Sequence, residues 1–215
     1  MFGKIGALAC FLLIIQHVVR TKAGQCSDVN SITSFTPNDL AGVWYVVARY
    51  PDPGFLCTEV KFTLLSNDNM RLETTYSNAP AHPWDNVTVS AVVCSNVTTG
   101  GYTIVFHLYN NPAMPAVVMK VLKLNTKTHA YICGYTNLND KIYDSFTMII
   151  TRKRIIHSKK LAEYEDSAPP GVDGFGSTVM IPIVQSESCN TGTTSTLSFM
   201  IMVLTLFYTG FQWIE

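Results

Sequence analysis

The sequence predicts an all-β fold: an eight-stranded, up-and-down antiparallel barrel with a short C-terminal helix and an extension. Three observations predict it. Strand-like segments follow one another with only short turns rich in Gly, Asn, Pro and Asp between them. Several of those segments alternate apolar and polar residues with period two. Both ends of the chain carry apolar targeting patterns, which leaves one domain-sized middle.

The ends come first because they decide what folds. Residues 1–23 read as a signal peptide: Lys4 supplies the positive start, and Ile5 to Ile15 is an apolar run too short to span a bilayer. Thr21-Lys22-Ala23 offers small residues for cleavage after Ala23 or Gly24, and Cys10 leaves with the peptide. At the other end, Ser188-Cys189-Asn190-Thr191-Gly192 is a small-residue cluster, Thr193 to Ser198 a polar spacer, and Phe199 to Phe211 strongly apolar. That order is the pattern of a glycosylphosphatidylinositol (GPI) attachment signal, with Asn190 as the attachment site and 191–215 removed. Gly192 and Ser188 are the alternative attachment sites. A spanning helix would need about 20 apolar residues and cytoplasmic Lys or Arg beyond them, whereas this chain ends in Trp213-Ile214-Glu215. The reading places residues 24–190, about 165 residues and one domain, on the extracellular face of the plasma membrane.

Charge is balanced, with Lys+Arg 15 and Asp+Glu 15, so no basic footprint points to nucleic acid.

The strands read in order as Val43–Tyr50, Cys57–Leu65, Met70–Ser77, Val87–Ser95, Tyr102–Tyr109, Val117–Leu124, His129–Thr136 and Ile142–Arg152. A turn-like Thr36-Pro37-Asn38-Asp39 leads into the first, which opens on Gly42, one spacer, Trp44 and a β-branched run. In the second, Val60, Phe62 and Leu64 alternate with Glu59, Lys61 and Thr63; in the third, Met70, Leu72, Thr74 and Tyr76 alternate with Arg71, Glu73 and Thr75. Each therefore has one dry and one wet face. The fourth carries two glycosylation sequons, Asn86-Val87-Thr88 and Asn96-Val97-Thr98. Glycans on Asn86 and Asn96 require the outer face, which turns Val87, Val89, Ala91 and Val93 inward. Parity in the sixth strand is unclear, because Lys120 and Lys123 fall on opposite faces. After the eighth, Ser158–Glu165 is a short amphipathic helix ended by Pro169-Pro170-Gly171, and Val179–Val184 is a candidate added strand.

No enzyme signature is present: there is no His-Glu-x-x-His, no Gly-x-Ser-x-Gly and no phosphate-cradling loop. His82, His107, His129 and His157 have no metal-ligand spacing, so no metal or cofactor is expected and the chain reads as a binding protein.

Two blocks carry a family resemblance. Asp39-Leu40-Ala41-Gly42-Val43-Trp44 with the strand after it resembles the first block of the lipocalins, and Asp144-Ser145-Phe146-Thr147-Met148-Ile149-Ile150-Thr151-Arg152 their final barrel strand. The middle block is degenerate here, Leu124-Asn125-Thr126 being the nearest match. The resemblance implies that Arg152 lies over Trp44, a cation–π contact whose donors can cap carbonyls, with Gly42 structural beside them. Five cysteines remain after Cys10, and spacing alone leaves many connectivities open. Their places resemble those of the apolipoprotein D and Lazarillo-type lipocalins, which implies Cys26–Cys133 and Cys57–Cys189. Cys94 is left over, either a half-buried thiol or a reactive or intermolecular one; its parity with the glycosylated face points it away from the calyx.

The resemblance also implies a ligand calyx. The dry face supplies Val46, Ala48, Val60, Phe62, Leu72, Tyr76, Val89, Ile104, Phe106 and Met148, with Tyr76 able to donate a hydrogen bond. Such a cup suits a small hydrophobe of the retinoid, fatty acid, sterol or bilin class. The alternative is a cell-surface adhesion or guidance protein that meets a protein partner through the barrel exterior.

Overall fold

The computed structural model describes residues 25–33, 36–65, 70–83, 85–98, 101–107, 115–138 and 141–189. Side chains are described for all of these except 90–98, 101–102, 138, 141 and 143–144. The signal peptide, Asn190, the apolar tail, and the side chains of Cys94 and Asn96 fall outside the described set.

A 3₁₀ turn at Cys26–Asp28 precedes a one-turn helix α1 (Pro37–Leu40). Eight strands follow: β1 (Gly42–Tyr50), β2 (Leu56–Leu64), β3 (Met70–Ser77), β4 (Asn86–Thr98), β5 (Gly101–His107), β6 (Ala116–Asn125), β7 (His129–Leu138) and β8 (Lys141–Thr151). Helix α2 (Ser158–Asp166) and a two-residue strand β9 (Ile181–Pro182) come last among the described residues. Consecutive strands pair antiparallel from β2 to β8, β8 pairs with β1, and β1 also pairs with β2, so the sheet returns on itself. The eight expected strands are all present, most with ends shifted by a residue or two.

Local chemistry explains the start. The Thr36 N–H donates to the Asp39 carboxylate at 2.7 Å and its hydroxyl does so at 3.0 Å, while Pro37 occupies the first helical position. The expected turn is therefore a capped helical turn. It drops Leu40, fully buried, into the barrel's closed end. There the Leu40 carbonyl accepts a hydrogen bond from Trp44 Nε1 at 2.7 Å.

Arg152 closes this end. Its guanidinium carbon lies 3.6 Å from the Trp44 ring centroid. Nε donates to the Thr126 carbonyl at 3.0 Å, and the two terminal nitrogens donate to Val43 at 3.1 Å and Asp39 at 3.3 Å. One side chain thus ties the β6–β7 turn to both sides of the β1 start. Gly42 makes room for it: its φ is +99°, and a Cβ there would sit 3.1 Å from an Arg152 nitrogen. Gly42→Ala is expected to lower unfolding free energy by about 1–3 kcal/mol, from left-handed strain and a displaced guanidinium. Urea titration followed by circular dichroism measures it, and a change within about 0.5 kcal/mol, as for an indifferent surface site, would show that neither constraint matters.

Hydrophobic burial forms two layers. Inside the barrel, Trp44, Phe62, Met70, Ile104, Val121, Ile132 and Ile150 pack with Leu40. Outside it, Val47, Ala48, Tyr131, Ile149 and Met180 meet Leu161 and Tyr164 of α2 and Phe175 beyond it. The Tyr131 hydroxyl anchors the helix by donating to the Tyr164 carbonyl at 2.7 Å. His129 belongs to this outer layer, stacked on Tyr164 at 4.1 Å between centroids.

Bulges break the strict alternation. The β6–β7 register shifts between Val121 and Lys123. Met119 and Val121 face the inner layer, and both lysines face out: Lys120 donates to the Ser27 and Val29 carbonyls, Lys123 to that of Ser167. The unclear parity of this strand is that extra residue. A second shift, between Val46 and Ala48 of β1, acts on the candidate site.

The C-terminal extension is part of the wall. Direct β1–β2 pairing covers only Gly42–Tyr45 against Glu59–Phe62. Beyond that, β9 pairs with Ala48 and Arg49, the Ile183 N–H donates to the Val47 carbonyl at 2.9 Å, and the Cys57 N–H donates to that of Val184 at 2.9 Å. Gln185 Nε2 donates to the Val46 carbonyl at 3.0 Å and the Thr58 carbonyl at 2.7 Å, so one amide bridges both strands. Arg154 braces it, donating to Gln185 Oε1 at 3.2 Å and ion-pairing Glu59 at 2.6 Å. The expected strand Val179–Val184 is regular only at Ile181–Pro182, since Pro182 lacks an N–H and the chain bonds alternately to two strands. Two disulfides hold the arms, Cys26–Cys133 and Cys57–Cys189, with Cα–Cα distances of 5.7 and 5.4 Å.

Candidate functional site

The half of the barrel away from the Trp44–Arg152 floor contains a cavity of about 380 Å³. It is lined by Val46 and Arg49 of β1, Phe55 of the β1–β2 loop, Thr58 and Val60 of β2, and Leu72 and Thr74 of β3. Phe106 of β5, Val117 and Met119 of β6, Thr136 of β7, and Phe146 and Met148 of β8 complete the lining. Eight of the thirteen strand and loop positions are aliphatic, aromatic or thioether side chains packed on an inner wall, Phe55 is a ninth, and three threonines and one arginine make up the rest. An apolar cup with a few polar groups holds a small molecule by area and orients it by those groups.

Of the ten residues expected to line a calyx, the cavity brings together Val46, Val60, Leu72, Phe106 and Met148. The other five lie elsewhere. Phe62 and Ile104 are 1% and 0% exposed, packed in the inner core rather than bordering the cavity. Tyr76 stacks on the lining residue Phe55 at 4.1 Å between centroids and does not itself border the cavity. Val89 is half-buried and sits opposite Thr74 in the β3–β4 register, one strand removed from the lining.

Ala48 is the informative correction. Alternation from Val46 would point it inward. The bulge places Val46 opposite Ile150 of the inner layer but Ala48 opposite Ile149 of the outer layer. Ala48 therefore packs against the α2 side, and Arg49, opposite Met148, takes the inward place.

Arg49 is the charged group of the cavity lining. Its guanidinium carbon lies 4.9 Å from the Phe146 ring centroid, a cation–π contact. Its Nε is buried and has no hydrogen-bond partner among the described residues. Burial pushes the guanidinium pKa below its ordinary value, because water is withdrawn from the charge.

Some of this was readable. Thr74 shares parity with Leu72 on a cleanly alternating strand, and Phe146 with Met148. Val117 and Met119 sit on the strand whose parity the bulge obscures, and Phe55 lies in a loop. The start of the fourth strand does not follow the sequon parity: Asn86 is exposed, but so is Val87, expected to face inward, because the strand has not yet entered the packed wall there, and Val89 is the first half-buried position.

No protein-family model matches the sequence, and no curated protein matches it either. Solved structures do match its shape. Lobster apocrustacyanin A1 is 17% identical, with a TM-score of 0.52 over 74% of this chain and 84% of its own. Insecticyanin from the tobacco hornworm Manduca sexta is 16% identical, with a TM-score of 0.56 over 77% of this chain and 89% of its own. The cockroach allergen Per a 4 is 17% identical, with a TM-score of 0.55 over 75% of this chain and 96% of its own. At such identities the likeness is one of architecture, and it spans the barrel as a whole. The chain has the lipocalin fold: an eight-stranded antiparallel barrel with a floor at one end and an apolar cavity in the other half.

Proposed function

We propose that this chain is an exported lipocalin that binds or transports a small hydrophobic ligand in its calyx. The observation that carries the reading is the apolar cavity of about 380 Å³ on the side of the barrel away from its floor. That volume sits near the low end of the range of about 300–1,000 Å³ usual for small-molecule sites. It favours a compact or chain-like hydrophobe, such as a fatty acid or retinoid, over a bulkier sterol or bilin. The protein acts by holding its ligand rather than by transforming it.

The finer assignment is to the apolipoprotein D and Lazarillo-like group. Its support is the pair of bridges Cys26–Cys133 and Cys57–Cys189. The sequence patterns further support removal of residues 1–23, glycans on Asn86 and Asn96, and a GPI anchor at Asn190 that holds the domain at the cell surface.

One experiment tests both levels. Membranes from cells expressing the full chain are treated with phosphatidylinositol-specific phospholipase C, and released protein is analysed by native mass spectrometry without detergent. Release with a stoichiometric extra mass that departs on denaturation is the expected result, and the mass identifies the cargo class. Protein that stays on the membrane overturns the anchor. Released protein that carries no extra mass, and retains no added fatty acid or retinoid, overturns the carrier reading.

A further inference from the structure

The cavity carries one cation that a purely apolar cargo would not need. Arg49 reaches the interior only because β1 bulges at Val47, which turns Ala48 out and Arg49 in. With regular alternation the same residue would lie on the outer face of the barrel, on the side of Val47 and away from the cavity. Here its Nε is buried without a hydrogen-bond partner. The ion pairs among the described residues join Lys61 to Glu73, Arg154 to Glu59 and Lys160 to Glu163, so Arg49 has no described carboxylate. The described contact of its guanidinium is with the face of Phe146. A partly buried guanidinium without an anion gives up hydration with no partner in return, and that cost falls when an anion arrives.

We infer that the cavity takes an amphiphile with a carboxylate head, seated so that the head pairs with Arg49 and the hydrocarbon chain lies against Val60, Leu72, Phe106 and Met148. The inference rests on the carrier reading above and names the chemical class of its cargo. Three features of the site favour it. The planar fork of a guanidinium matches a carboxylate in two-point contact. The threonine hydroxyls of Thr58, Thr74 and Thr136 line the same cavity and can serve a head group's remaining lone pairs. The rest of the lining is apolar, which suits a chain and leaves a second charge on the ligand without a partner.

The test compares dodecanoic acid with dodecanol by isothermal titration calorimetry at neutral pH, where the acid is ionised and the alcohol is not. Wild-type protein is expected to bind the acid about 10- to 100-fold more tightly than the alcohol, the yield of a hydrogen-bonded charge pair. Arg49→Met, close to the same volume without charge, is expected to lose that preference, so that its affinities for the acid and the alcohol differ by less than about threefold. Arg49→Lys is expected to keep part of it. If wild type binds both equally, or Arg49→Met keeps the preference, the carboxylate inference is overturned and the carrier reading stands. If wild type binds neither, the carrier reading falls and this one with it. The wild-type ratio decides even if the methionine variant unfolds.

Discussion

Trp44→Ala is expected to unfold with a free energy about 3–5 kcal/mol below wild type, the range for deleting a buried aromatic side chain. The residue is 0% exposed and packs at the closed end with Leu40, Phe62 and Ile150. Truncation removes more than apolar area. It strands the Leu40 carbonyl that Nε1 satisfies at 2.7 Å. It also strips the aromatic cover from the Arg152 guanidinium, 3.6 Å from the ring centroid. Trp44→Phe separates these effects: it keeps a ring beneath the guanidinium and loses only the N–H and some volume, so its cost should be a minor part of the whole. Denaturant unfolding followed by far-ultraviolet circular dichroism gives both numbers. An alanine variant within about 1 kcal/mol of wild type would mean that the floor does not hold the barrel shut.

The second large effect concerns the tail. Cys57→Ser with Cys189→Ser is expected to cost about 2–5 kcal/mol, toward the upper end because the bridged residues are far apart in sequence; their separation is 132 residues. The more specific expectation is functional. This bridge pins the segment that replaces direct β1–β2 pairing beside the cavity. Ile183 from that segment packs in the inner core, and Gln185 holds the Val46 and Thr58 carbonyls of two lining residues. A bound hydrophobe should therefore leave faster from the double variant. Cys26→Ser with Cys133→Ser offers the control. That bridge closes 107 residues and lies on the outer wall with Val172, so it should cost comparable stability with little change in ligand release. Equal release rates from the two double variants, measured by stopped-flow displacement, would show that the tail is not part of the cavity wall.

The barrel was legible because its signals are local. Alternation in Glu59–Leu64 and Met70–Tyr76 reports a half-buried strand whatever it pairs with. The Arg152–Trp44 contact was legible through a resemblance tied to two short blocks. The site was half legible. Val46 precedes the β1 bulge, Leu72 and Phe106 lie on strands paired without a break beside them, and Val60 and Met148 lie on the regular runs that follow the breaks near Cys57 and Asp144, so alternation placed all five well. Phe62 and Ile104 also face inward, but facing inward does not say whether a position is filled or open. That depends on which side chains of the opposite wall reach across.

By itself, the sequence determined the strand count and order, the dry and wet faces of the regular strands and, through the resemblance, the Trp44–Arg152 pair of the closed end. Each follows from periodicity, turn chemistry or a short motif. Only the tertiary structure decided that Ala48 faces α2, that Arg49 faces the cavity, and that the chain from Ile181 to Cys189 completes the wall. The physical reason is the same in each case. One extra residue at Val47 reverses every side chain after it, and nothing in Val46-Val47-Ala48-Arg49 marks the place. β1 pairs with β8 on one side and with β2 and then the tail on the other, and all of those partners but β2 lie roughly a hundred residues or more away along the chain, beyond the reach of local pattern.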